Sequence, residues 1–231
     1  MRIGLIVADV RHLKTAQVAR GLHKAGKRNI GIYTVPFVHR KSRSPLFEHR
    51  PYQFDAPHPR EIAIELDGVD YVPSATMNDL PTEAVDIFLM TGGILIPNSM
   101  LETAKVRFLN VHAGLIPEVR GLDAFKWAIL EQMQVGITLH EIDARVDMGK
   151  IIARRATPVF ESDTLYDFAL RHYLAEVDLL VKSLDFLERK PRSVDVAANL
   201  RAPRMRMKAE DEARLETAFI HYKAKFSGMS G

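Results

Sequence analysis

The residues whose types and spacing could do chemistry lie between Thr91 and Ile152. Their centre is Leu109-Asn110-Val111-His112, followed by a Pro117…Arg120-Gly121 loop and by Val146-Asp147-Met148-Gly149. Successive side chains of a β-strand point to opposite faces, so Asn110 and His112, two apart, point the same way and set an amide beside an imidazole. Asp147, near a second strand end, could orient that imidazole if the two strands are sheet neighbours. Together the three polar groups suit chemistry at a carbonyl. In open parallel sheets ligands gather outside the carboxyl ends of the strands, and the strand assignment puts all three residues there. Each also has a plainer reading, the histidine as a structural residue and the Asn and Asp as turn residues near glycine. Spacing alone defines a site without a reaction.

The elements that must position these groups read as an α/β fold. Arg2 to Ala8 is a short apolar run of the kind buried in parallel sheets. Arg11 to Lys24 carries Leu13, Val18, Ala19 and Leu22 at helical spacing before Gly26, and Asn29 to Val35 is a second β-rich run. Strand, helix, strand at this length is a right-handed crossover unit. Its first turn, Ala8-Asp9-Val10-Arg11-His12, lacks the glycines that let a backbone close around pyrophosphate, so a dinucleotide or P-loop reading is weak. Further strands are expected at Tyr71 to Ser74 (an edge), Val85 to Met90, Val106 to Val111, Ile137 to Ile142 and Ile151 to Thr157. Helices are expected at Glu61 to Leu66, Pro97 to Ala104, Asp123 to Gln132 and, as one long element packing on the sheet, Asp163 to Leu187. The expected architecture is a Rossmann-like open, mostly parallel sheet with helices on both faces, followed by the long helix and a short C-terminal tail. Residues 1–188 would form the catalytic domain and 189–231 a basic tail with one amphipathic helix around Ala209 to Tyr222.

Composition narrows the class. A chain of 231 residues can bury a substantial core in one globular unit. No window approaches the roughly 18 consecutive apolar residues of a membrane helix, and the N-terminus reads as a buried first strand rather than a signal peptide. The expectation is a cytoplasmic protein with no membrane partner. Without cysteine there is no disulfide framework, Cys-based metal site or thiol nucleophile. A net charge of +3 is too small to imply a nucleic-acid surface. Charge is concentrated instead in the irregular segment Pro36 to Pro59, with His39, Arg40, Lys41, Arg43, His49 and Arg50 around Phe47 and Tyr52. That segment reads either as a solvated loop or as a grip for an anionic acceptor.

The run Asn110-Val111-His112…Pro117…Arg120-Gly121, then Gly136-Ile137-Thr138-Leu139-His140, then Asp147-Met148-Gly149-Lys150-Ile151-Ile152, resembles the folate-dependent formyltransferase family. The resemblance is close from about Asp86 to Ile152, with several motifs in order at similar spacings. It implies 10-formyltetrahydrofolate as formyl donor and Asn110, His112 and Asp147 as the catalytic set. It further implies that Ile94-Leu95-Ile96 and the loop Asp143-Ala144-Arg145-Val146 hold the pterin end of the folate, largely through backbone groups. On this reading an acceptor amine attacks the formyl carbonyl. Asn110 and His112 donate to the developing oxyanion, and Asp147 favours protonated His112 and helps take the amine's proton. No metal is required.

Departures from the family pattern bear on the acceptor. Ala113-Gly114 stands where the family often has Pro-Ser, and Met148 and Lys150 replace a common Thr and Pro. The absent Gly-rich turn argues against glycinamide ribonucleotide, and the short tail argues against tRNA. An amino sugar attached to a nucleotide remains, with the basic Pro36 to Pro59 loop to serve its diphosphate. Phe125 and Trp127 read as core more than as acceptor lining, and His140 as a core histidine. Two alternatives stay open: a formyltetrahydrofolate hydrolase and an inactive folate-binding protein. A homodimer through the long helix or the tail is compatible with the sequence, and nothing demands it.

Overall fold

The computed structural model describes residues 1–37, 43–143, 149–188 and 202–228. Among the described residues seven strands form one sheet: β1 (Ile3–Ala8), β2 (Ile30–Val35), β3 (Val69–Pro73), β4 (Ile87–Met90), β5 (Arg107–His112), β6 (Gly136–Glu141) and β7 (Ile151–Ala156). Their order is β3-β2-β1-β4-β5-β6-β7. Strands β1 to β5 are parallel, as expected for runs as uniformly apolar as β1, β2 and β4, which are buried on both faces. Strands β6 and β7 pair antiparallel, so the sheet is mostly parallel.

The helices are α1 (Leu13–Lys24), α2 (Pro59–Glu65), α3 (Asn98–Thr103), α4 (Ala124–Leu130), α5 (Leu165–Val181), α6 (Ser183–Glu188), α7 (Ala209–Glu212) and α8 (Leu215–Phe226). Alternation along the strands divides the core. Leu5, Val7, Leu89, Leu109, Val111, Ile137 and Leu139 pack with Val18 and Leu22 of α1 and Leu179 and Leu180 of α5. Ile6, Phe88, Met90 and Phe108 face the other way, toward Met100 of α3. Asn110 and His112 continue the Phe108 face, which places two polar groups at the end of an apolar row.

Two expectations need correction. The long helix is two: α5 starts at a capping box in which Thr164 Oγ1 accepts from the Asp167 N–H, and it stops at Lys182, whose N–H reaches the carbonyls of Asp178 and Leu180. The break re-aims the chain so that Leu184 buries against the sheet-facing cluster. The amphipathic helix near the C-terminus is likewise split into α7 and α8, and Met207, Leu215, Phe219 and Tyr222 bury in the same cluster as Phe125 and Phe168. Tyr222 accepts the Val135 N–H through its hydroxyl at 2.9 Å. The polar composition after Lys190 conceals that apolar face because only one side of α8 meets the core.

Candidate functional site

The β5–β6 pairing assembles the site. Antiparallel register sets Asn110 opposite His140 and His112 opposite Thr138, all on one face. Asn110 Nδ2 donates to His140 Nε2 at 3.3 Å, and His140 is buried. The bond fixes the amide's orientation and, because Nε2 accepts, the tautomer of His140. Two positions along, His112 Nε2–H donates to the Val119 carbonyl at 3.1 Å. Proton exchange at that ring therefore falls to Nδ1.

Thr138 secures the loop that carries Val119. Its hydroxyl donates to the Gly114 carbonyl at 2.7 Å and accepts the Ile116 N–H at 3.0 Å. Gly114 is required by space: a Cβ there would stand 2.5 Å from the Val119 oxygen and 2.9 Å from His112 Nε2. The Ala113-Gly114 departure from the family pattern is thus part of how this chain seats its histidine. Farther along, Gly121 has φ +90° and lies so close to Arg204 that a Cβ would meet its carbonyl oxygen at 2.3 Å. Backbone bonds from Arg204 N–H to Arg120 and from Leu122 N–H to Arg204, both 2.8 Å, tie the C-terminal segment to this loop.

Of the three polar residues expected at one end of the sheet, the described ones, Asn110 and His112, share one face of β5. Because β6 runs against β5, its carboxyl end sits beside Phe108, where the Ile142 N–H meets the Phe108 carbonyl at 2.8 Å. Asp147 itself, with Ala144, Arg145 and Val146, lies outside the described residues. Asp143 is described and half-buried.

The turn after β4 flanks the same face. Ile94 and Ile96 pack on the cluster of Phe88, Met90, Met100 and Phe108, whereas Leu95 is 71% exposed. Thr91 anchors the turn, its hydroxyl donating to the Ile6 carbonyl at 3.1 Å and lying 2.8 Å from Thr15 Oγ1. Among the described residues, Gly93 to Ile96 form no backbone hydrogen bonds with the rest of the chain. Backbone donors and acceptors left open beside an apolar wall are what a flat heterocycle with an amide-like edge would need.

Behind the site sits a group that reading the sequence did not single out. Glu176 of α5 is fully buried between Lys14 Nζ (3.0 Å) and Arg50 Nη2 (2.5 Å), with His172 Nε2 3.8 Å away. Burial pushes the Glu176 carboxyl up, but the Arg50 and Lys14 charges overcome this and hold it below the usual carboxylate range. Burial lowers His172 to about 4, and burial with the nearby Lys14 and Arg50 charges lowers His12 to about 4. The available signal was a lone carboxylate on the apolar stripe of α5, one turn from Tyr173 and Leu180. A second buried carboxylate, Glu212, joins Lys126 of α4, Arg43 (2.6 Å) and the Leu46 N–H (2.9 Å). Of the basic residues expected between Pro36 and Pro59, half-buried Arg50 pairs with buried Glu176 and exposed Arg43 pairs with buried Glu212, while His39, Arg40 and Lys41 lie outside the described residues. Phe125 is core, and Trp127 donates through Nε1 to the Met205 carbonyl at 2.8 Å.

A family model described as formyl transferase matches residues 16–184. Among curated relatives, the methionyl-tRNA formyltransferase of Solibacter usitatus is 29% identical over 136 residues, which is 56% of this chain and 44% of the relative. That of Listeria welshimeri is 30% identical over 138 residues, 55% of this chain and 44% of the relative. The chain therefore spans less than half the length of these relatives. Two solved structures share the fold. A sugar N-formyltransferase from a Shewanella species has a TM-score of 0.60 at 20% identity, covering 87% of this chain and 76% of that one. An N-formyltransferase from Helicobacter canadensis, in complex with folinic acid and dTDP-3-aminofucose, has a TM-score of 0.63 at 15% identity, covering 95% of this chain and 81% of that one.

Proposed function

From the premise that this chain belongs to the formyl transferase family, we propose that it is an N-formyltransferase. It moves a formyl group from 10-formyltetrahydrofolate to the primary amine of a small molecule, an amino sugar attached to a nucleotide. The donor supplies an activated formyl carbonyl. The observation that carries the reading is the fixed pair on β5, Asn110 oriented by His140 and His112 oriented by Val119, on the face flanked by the open backbone of Gly93 to Ile96.

Asn110 presents its amide N–H to the oxygen of a carbonyl under attack, where negative charge accumulates, and being held in advance it needs little reorganisation. His112 adds a second donor on the same face and exchanges a proton through Nδ1. Asp147 is assigned, from the family resemblance, the task of favouring protonated His112 and accepting the amine's proton. The apolar turn Ile94-Leu95-Ile96 and the segment Asp143 to Val146 hold the pterin.

The acceptor class is supported by the cations of the Arg43 to Arg50 loop and by the dTDP-amino-sugar bound to the Helicobacter canadensis protein. The test is thermal stability of the purified chain with a stable folate analogue, alone and with amino-sugar nucleotides, since a ligand that binds only the folded state raises stability by mass action. A shift with the analogue and a further shift with one nucleotide sugar is the expected result. No shift with the analogue at saturating concentration would remove the donor site.

A further inference from the structure

The geometry points to a phosphoryl-binding subsite in a cavity of about 170 Å³ lined by Arg43, His49, Arg50, Lys126 and Arg206, formed jointly by the β2–α2 connection, α4 and the C-terminal segment. It deepens the transferase reading and rests on it, because it says where the anionic part of the acceptor is held. The cavity is far larger than the roughly 10–15 Å³ that a single water needs.

The donors left open in the cavity carry the proposal. Three carboxylates, Glu48, Asp123 and Glu212, also line the cavity, against four permanent cations. Glu212 is shared between Lys126 and Arg43, so one negative charge faces two positive ones there. Asp123 is engaged by the Met207 N–H at 2.9 Å. Arg50 grips Glu176 through Nη2, but its buried Nε has no acceptor. Arg206 is exposed and makes neither an ion pair nor a hydrogen bond among the described residues. With Glu176 behind Arg50 the charges balance, so it is the unused N–H donors, the buried Arg50 Nε and the Arg206 guanidinium, that suit an oxyanion with several acceptor oxygens such as phosphate.

The usual alternative place is closed in this chain. A helix N-terminus after the first strand of an α/β sheet offers backbone N–H groups to phosphate. Here the Leu13 N–H is taken by the Gln53 carbonyl at 2.7 Å and the Thr15 N–H by His12 Nδ1 at 3.4 Å. The cavity, by contrast, is linked to the catalytic pair through α4: Asp123 and Lys126 line it, while Ala124 lies against Gly114, two residues from His112.

The experiment is calorimetric titration of the full chain with inorganic pyrophosphate, inorganic phosphate and uridine diphosphate, repeated on Arg206→Ala and Arg206→Glu. Arg206 is exposed, so both variants should fold, and binding of a folate analogue checks this in the same preparations. The expected result is that pyrophosphate binds, uridine diphosphate binds at least as tightly, and Arg206→Glu weakens both by tenfold or more while the folate analogue is unaffected. Pyrophosphate failing to bind, or binding equally to Arg206→Glu, with folate binding intact, would overturn the subsite and leave the transferase reading standing. Binding of pyrophosphate with exclusion of uridine diphosphate would overturn the assignment to a nucleotide-borne group. If the wild-type chain fails to bind the folate analogue, the function falls, and the pyrophosphate result still decides whether the cavity takes phosphoryl groups.

Discussion

Asn110 and His140 face each other across the β5–β6 pair, with the amide nitrogen 3.3 Å from the ring Nε2. On the proposed mechanism Asn110 acts on the formyl carbonyl and His140 holds it in place. His140→Ala should therefore lower kcat about two- to tenfold, the rate equivalent of losing one hydrogen bond worth ~0.5–1.5 kcal/mol, with KM for the donor nearly unchanged. A steady-state comparison decides it: a KM effect without a kcat effect would make His140 a packing residue.

On the proposed mechanism His112→Ala removes a donor to the oxyanion. Turnover should fall by about 10²–10³ while the fold persists, because the residue lies at the end of β5 rather than in the middle of the sheet core. Circular dichroism with single-turnover kinetics would show both, and near-normal turnover would remove His112 from the chemistry.

Gly114→Ala should act through its neighbour. A Cβ 2.9 Å from His112 Nε2 and 2.5 Å from the Val119 oxygen forces apart the hydrogen bond that orients the ring. The expected outcome is a loss approaching that of His112→Ala, with a shifted pH–rate profile. An unchanged profile would mean that the imidazole is seated by other contacts.

Acid should destabilise the fold early. His172 and His12, lowered to about 4 by burial, are neutral in the native state, whereas in the unfolded chain they take up protons near the ordinary histidine value of about 6.5. Between those limits the unfolded state binds more protons, so stability drops as pH falls from about 6.5 toward 4. Glu176, held below the carboxylate range, adds a loss only at lower pH still. Thermal melts from pH 7.5 to 4.5 should show this slope. His172→Phe, which can pack on Phe125, should flatten it, and an equal slope in that variant would assign the dependence elsewhere.

Glu176→Ala leaves Lys14 and Arg50 as uncompensated charges against the core. Breaking a buried pair from one side costs about 3–5 kcal/mol, so urea unfolding should move by that order. A change under 1 kcal/mol would mean that water reaches the pair.

Strand periodicity made β1, β2, β4 and β5 legible, because buried parallel strands are short continuous apolar runs, and the two-residue spacing of Asn110 and His112 placed them on one face. Strand direction was not legible. The periodicity of Ile137 to Ile142 is the same whether β6 runs with β5 or against it, so only the register of the pair shows it to be antiparallel. His140 read as core because its partner is fixed by register, which no local pattern carries. Glu176 and Lys14 are 162 positions apart in sequence, so their pairing depends on how α1 packs against α5. The break at Lys182 was hidden because the apolar spacing continues across it.

The most direct measurement is mass spectrometry of the products after the chain is incubated with 10-formyltetrahydrofolate and a panel of nucleotide-linked amino sugars, with His112→Ala in parallel. The account predicts one nucleotide sugar gaining a single formyl group on its amine, with no gain in the variant. Free formate with every amine unmodified would contradict it and make the chain a hydrolase of the donor.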